Sequence, residues 1–346
     1  MIMTRRSSMI FFRSDYSSGA HPRILEALSK TNYEHSDGYF MDDHCFHAIE
    51  LLKKKIGRDD VDIHLTVGGT ITNLTAICAF LRPHQAAVSA ASGHICMHET
   101  GSVEATGHKV IHLPSTDGKV RPEQIDETII FHEDEHMVQP KLLYISQPTE
   151  IGTIYKKAEL AALKAKCEEH GMYLYIDGAR LATALTCDEC DVTLSDMAKY
   201  SDAFYIGGTK NAFLFGEALV IVNPALKEDF RFIIKQRGGM FAKGRLIGIQ
   251  FEEMFKDELY FEIGRGSNEK AAKLREGIKA AGYKFMVDSP TNQIFPIFPE
   301  EMVKRLEKDF FFYRWAAPKD GMTPIRLVTS WVTTDEDIKA FLDAIK

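Results

Sequence analysis

The sequence predicts an α/β protein, a large domain on a mostly parallel covered sheet followed by a smaller C-terminal α+β domain. Three observations lead there. Between residues 60 and 225, short apolar runs alternate with helical patterns, the rhythm of strand–helix–strand units. Runs such as Tyr173-Leu174-Tyr175-Ile176 are apolar without alternation, as strands buried on both faces are. After a long helical stretch from Pro224 to about Ala281, short strands alternate with charged helices.

In chain order, Asp62 to Thr66 reads as a strand and Thr72 to Leu81 as a helix, closed by Pro83. Lys141 to Ser146 is a strand, and Lys157 to His170 an amphipathic helix ending at Gly171. Met172 to Asp177, Ala203 to Ile206 and Glu217 to Val222 complete the large domain's strands. Gln293 to Phe298 and Ile325 to Thr329 are strands of the smaller one. The boundary is expected near 250, giving domains of residues 1–250 and 251–346.

A chain of 346 residues is long enough for two such cores. Its hydrophobic share of 45% and charged share of 26% are those of an ordinary globular protein. A net charge of −7 with scattered Lys and Arg gives no support to nucleic-acid or membrane binding. No apolar stretch approaches the ~20 residues that span a bilayer. Met1 to Arg13 carries adjacent arginines, Arg5 and Arg6, but no signal-like apolar core, so the chain reads as cytoplasmic. Cys187 and Cys190 have CxxC spacing without a second pair or a nearby histidine, and read as incidental thiols of a reducing compartment.

In such sheets ligands sit beyond the carboxyl ends of the strands, and Asp177 and Lys210 both lie just past such ends. Gly207-Gly208-Thr209-Lys210-Asn211 puts a lysine behind a strand and a tight glycine turn. A desolvated lysine loses its proton readily and becomes a nucleophile towards an aldehyde. Asp177 ends a buried strand, where a carboxylate is costly unless paired. A protonated pyridine nitrogen offsets that cost, and pyridoxal 5'-phosphate combines such a ring with an aldehyde. Arg180 has the reach for the ring hydroxyl or a substrate carboxylate; the alternative is an internal Asp177–Arg180 pair closing the turn.

Val67-Gly68-Gly69-Thr70-Ile71-Thr72-Asn73 follows a strand and opens a helix, which suits a phosphate; a plain junction with a Thr cap is the alternative. His94 follows a small-residue turn, and its imidazole can stack on a flat ring and exchange protons. His98 shares its helical face at i+4, or is a solvated surface histidine. The pair also suits zinc, but no third ligand is apparent, and no metal is expected. Cys96 is expected as a small buried filler. Arg326 lies in an apolar strand and needs an anion, either a substrate carboxylate or a structural one.

Taken in order, Arg13-Ser14-Asp15, Gly68-Gly69-Thr70, Gly93-His94, Asp177-Gly178-Ala179-Arg180, Gly208-Thr209-Lys210-Asn211 and Arg326-Leu327-Val328-Thr329 span nearly the whole chain. In them it resembles the threonine aldolase and β-eliminating lyase family of fold-type I pyridoxal phosphate enzymes. The resemblance implies that Lys210 carries the cofactor as a Schiff base, Asp177 holds the ring nitrogen and His94 stacks on the ring. It assigns Gly69, Thr70 and Thr209 to the phosphate, and Ser14, Arg180 and Arg326 to the substrate carboxylate. It also implies a homo-oligomer, dimer or tetramer, in which Tyr39, Lys243 and Arg245 reach a neighbour's site. Many threonine aldolases carry a second histidine where this chain has Gln147-Pro148-Thr149-Glu150. The base is then expected to be His94 or a water it orients, with His98 and Glu99 behind it. The implied reaction is aldol cleavage of L-threonine or L-allo-threonine to glycine and acetaldehyde. Alternatives are β-elimination or transamination of another amino acid on the same cofactor, and a non-catalytic scaffold.

Overall fold

Seven strands form the central sheet, in the order Asp62–Thr66, Glu217–Ile221, Ala203–Gly207, Tyr173–Asp177, Gln139–Ser146, Gln85–Ala90 and Val110–Leu113. Their neighbours pair in parallel, except that Glu217–Ile221 runs against both of its own. The two strands Ala203–Gly207 and Glu217–Ile221 are buried at every position, as the unbroken apolar runs require. These elements come from a computed structural model that describes residues 9–346; Arg5 and Arg6 lie outside them. Among the described residues no helix is long and apolar enough to cross a membrane.

The expected strands and the helix Lys157–Glu169 are present, with ends shifted by up to three residues. The helix expected from Thr72 starts three residues earlier, at Gly69. Threonine reads as a cap, but the Thr72 hydroxyl donates instead to the Gly68 carbonyl at 2.7 Å and pairs with Thr66. The run expected as one strand from Gln293 to Phe298 is two, Gln293–Ile294 and Pro296–Pro299.

Gln293–Ile294, Met322–Val328, Pro296–Pro299 and Lys284–Phe285 make the small antiparallel sheet, with Tyr313–Arg314 also paired to Met322–Val328. Its core gathers Phe12, Leu274, Ile278, Phe298 and Phe341. The large core, however, continues through Phe251, Phe255 and Tyr260. The cores therefore change over inside the helix Leu259–Ala280, past residue 250, and Phe12 joins the small core from the far end of the chain. Close packing explains the extension. The helix Arg245–Phe255 lies so near Asp43–Ile56 that a Cβ on Gly248 would sit 2.7 Å from the Cys45 amide nitrogen.

Candidate active site

The carboxyl ends of the parallel strands bring Asp177 and Gly207 to one edge of the sheet, with Lys210 in the turn that follows. That turn is fixed from the reversed strand. Glu217 accepts from the Gly208 amide at 2.8 Å and from the Thr209 hydroxyl at 2.7 Å, and Thr209 accepts in turn from the Gly216 amide. Gly208 is required here, since a Cβ would meet the Gly216 carbonyl oxygen at 2.5 Å. The Thr209 hydroxyl, expected at the phosphate, gives its proton to Glu217 here. Burial, reinforced by the Arg180 charge, pulls the Lys210 ammonium below its ordinary pKa.

Asp177 is 4% exposed and accepts four hydrogen bonds. They come from Tyr205 and Tyr144 hydroxyls at 2.5 Å, from Asn73 Nδ2 at 2.9 Å and from the Ala179 amide at 2.9 Å. Burial alone would raise its pKa; the His94 charge and the bonds from Tyr144, Tyr205 and Asn73 overcome it and keep the carboxyl below its usual range. All four donors are neutral, so the carboxylate keeps a charge that a buried cation would balance. The alternative Asp177–Arg180 pair does not form. Arg180 instead grips Asp15 through Nε at 2.6 Å and Nη2 at 3.1 Å, while Asn292 Nδ2 holds the same carboxylate.

His94 opens the short helix His94–Met97, and its Nδ1 meets Glu99 Oε1 at 2.8 Å. Glu99 is buried, with Asn73 and Ser102 as its other donors, so the ring is oriented from behind. Asn73 thus ties Glu99 to Asp177. His98 is exposed, its ring 5.5 Å from that of His94; partial desolvation and the nearby His94 and Arg326 charges lower its pKa. Cys96 is half-buried, and its thiol donates to the Ala90 carbonyl. No side chain caps the helix at Gly68, which leaves the Gly69 and Thr70 amides at an open helix N-terminus.

Arg326 lies over the Tyr313 and Trp315 rings at 4.9 and 5.2 Å, and its buried Nε has no hydrogen-bond partner among the described residues. Burial and the neighbouring Arg180 push its pKa down to about 10. Two guanidinium groups beside one bound aspartate call for a further anion. Ser14 is half-buried, with its hydroxyl on Ser17. Tyr39 and Lys243 are exposed on adjoining loops, joined by a bond from the Tyr39 amide to the Ala242 carbonyl, and Arg245 Nη1 donates to the Thr31 carbonyl. The cysteines of the CxxC segment are free thiols, donating to the Ala184 and Val192 carbonyls.

Sequence reasoning missed Tyr144, Tyr205, Asn73 and Glu217 as parts of the site. Both tyrosines read as core because their rings are core; the hydroxyls alone betray them. The residues present fit pyridoxal 5'-phosphate: a depressed lysine, a buried carboxylate fed by neutral donors, and an uncapped helix N-terminus behind glycines.

Residues 12–300 match the model of the beta-eliminating lyase family. The chain is 28% identical over 333 residues, 95% of its length and 94% of the relative's, to a low specificity L-threonine aldolase of Pseudomonas sp. (strain NCIMB 10558). It resembles the solved Leishmania major threonine aldolase with a TM-score of 0.96 and 47% identity, covering 97% of this chain and 98% of that one. A Thermus thermophilus aspartate aminotransferase mutant matches at TM-score 0.72 and 16% identity, over 97% and 90% of the two chains; this likeness is one of fold.

Proposed function

This chain belongs to the beta-eliminating lyase family, and we propose that it cleaves L-threonine or L-allo-threonine to glycine and acetaldehyde, using pyridoxal 5'-phosphate. The observation that carries the reading is the Lys210–Asp177–Arg326 constellation, in a chain 47% identical to a threonine aldolase. Bound at Lys210, the cofactor supplies an electron sink for the pair left on Cα when the Cα–Cβ bond breaks.

Lys210 would hold the cofactor's aldehyde carbon, and its lowered pKa keeps the amine available as a nucleophile. Asp177 would hold the ring nitrogen in its protonated form, since Tyr144, Tyr205 and Asn73 keep the carboxylate ionised. His94, fixed by Glu99, would cover the ring, and the Gly69 and Thr70 amides would hold the phosphate. Arg326 would bind the substrate carboxylate through its unpartnered Nε, with Ser14 and the free edge of Arg180 beside it. That grip orients the substrate so that the bond to be broken stands across the ring plane.

The same reading makes the protein a cytoplasmic homo-oligomer of amino-acid catabolism, a dimer or tetramer with shared sites. The exposure of Tyr39 and Lys243 on one surface supports it. The test is acetaldehyde release from L-threonine by cofactor-loaded protein, with Lys210→Ala as the blank. Acetaldehyde with matching glycine is expected. Pyruvate or another α-keto acid instead would identify β-elimination or transamination, and full turnover by Lys210→Ala would refute the role of the lysine.

A further inference from the structure

Five carboxylates converge on the site, and their hydrogen bonds separate one from the rest. Asp15 is held by Arg180 and Asn292, Glu99 by His94, Asn73 and Ser102, Asp177 by its four donors, and Glu217 by Gly208 and Thr209. In each of these both oxygens are committed. Glu150 differs. Its Oε1 accepts from the His94 amide at 2.8 Å and from Ser146 Oγ at 2.6 Å, while no other residue among those described donates to Oε2.

The segment carrying it is rigid. Gln147, fully buried, spends its whole amide on the Tyr155 backbone, at 3.0 Å from Nε2 and 2.8 Å to Oε1. Thr149 pairs with Thr153 through both hydroxyl and backbone. Of the residues standing where a second histidine was looked for, only Glu150 is left for chemistry. Its bond to the His94 amide puts it at the foot of the imidazole that would cover the ring. The ring of His98, the rival base, makes no hydrogen bond among the described residues, and the residue is exposed.

We propose that Glu150 is the base that takes the β-hydroxyl proton, an assignment resting on the aldol reading above. As Oε2 accepts the proton, the O–H pair becomes the second carbon–oxygen bond of the aldehyde. The Cα–Cβ bond breaks with its pair left on Cα, which later takes a proton from solvent to give glycine. Run backwards, the Glu150 acid returns the proton to the aldehyde oxygen as Cα attacks it. Burial, with the Asp177 charge behind it, lifts the Glu150 carboxyl above its ordinary value despite the bond from Ser146.

Glu150→Gln tests this, because the amide oxygen keeps the bonds from Ser146 and His94. Cofactor affinity, from an absorbance titration, should match the parent protein, as should exchange of the glycine α-hydrogen with deuterated solvent, since glycine has no β-hydroxyl. Acetaldehyde release should fall at least ~100-fold. A fall of less than about tenfold, or an equal loss of glycine exchange, would overturn the assignment. So would a full loss confined to His98→Asn. If the parent exchanges glycine hydrogens yet releases no aldehyde from any β-hydroxy amino acid, the aldol reading fails first, and the assignment with it.

Discussion

Replacing Glu217 by Gln changes charge with little change of shape, and its effect on stability should depend on pH in one direction. Burial is the largest influence on this carboxyl, and it outweighs the bonds from Thr209 and Gly208, raising the pKa from the ordinary 4.5 to about 7. The folded protein therefore holds a proton that the unfolded chain has released at intermediate pH. Stability from this group is fully present below the unfolded value and is lost as pH rises through the folded one. At about 1.4 kcal/mol per pKa unit, the loss comes to about 3 kcal/mol. Urea unfolding of both proteins, at equal concentration and free of cofactor, would measure it. The parent's advantage over Glu217→Gln should shrink by most of that amount between about pH 5 and pH 8, then level off. A difference that stays flat, or grows with pH, would show that Glu217 is ionised throughout and that Lys210 compensates it in the fold.

Two further outcomes follow from contacts already described. Arg326→Lys loses the planar fork while keeping the charge, so KM for L-threonine should rise about tenfold or more with kcat less affected, read from steady-state rates. Tyr155→Phe strands the Val120 amide, which donates to the Tyr155 hydroxyl at 2.7 Å in the core, and should cost about 1–3 kcal/mol in urea unfolding.

What the sequence made legible was whatever is local. Asp177 and Lys210 each follow an apolar run, so a strand end and its chemistry appear in one short window. Arg326 stood out as a charge within an apolar strand. The support for these groups is not local: Asn73 reaches Asp177 from 104 residues away, and nothing in one sequence marks that meeting. The Glu217 partner of Thr209 was hidden for the same reason: the strand that begins at Glu217 arrives from the opposite direction, eight residues on. The change of core within Leu259–Ala280 was hidden too, because one continuous helix serves both clusters and its periodicity does not break between them.

The reversed strand has a mechanical consequence. Gly207 and Glu217 sit opposite each other in the register, so the segment bearing Lys210 leaves and re-enters the sheet at one point. The amine rides on a clamped hairpin, whereas Arg326 rides on the other sheet, across a shared helix. Any rocking of the small domain about that helix would sweep the guanidinium towards or away from a stationary nucleophile.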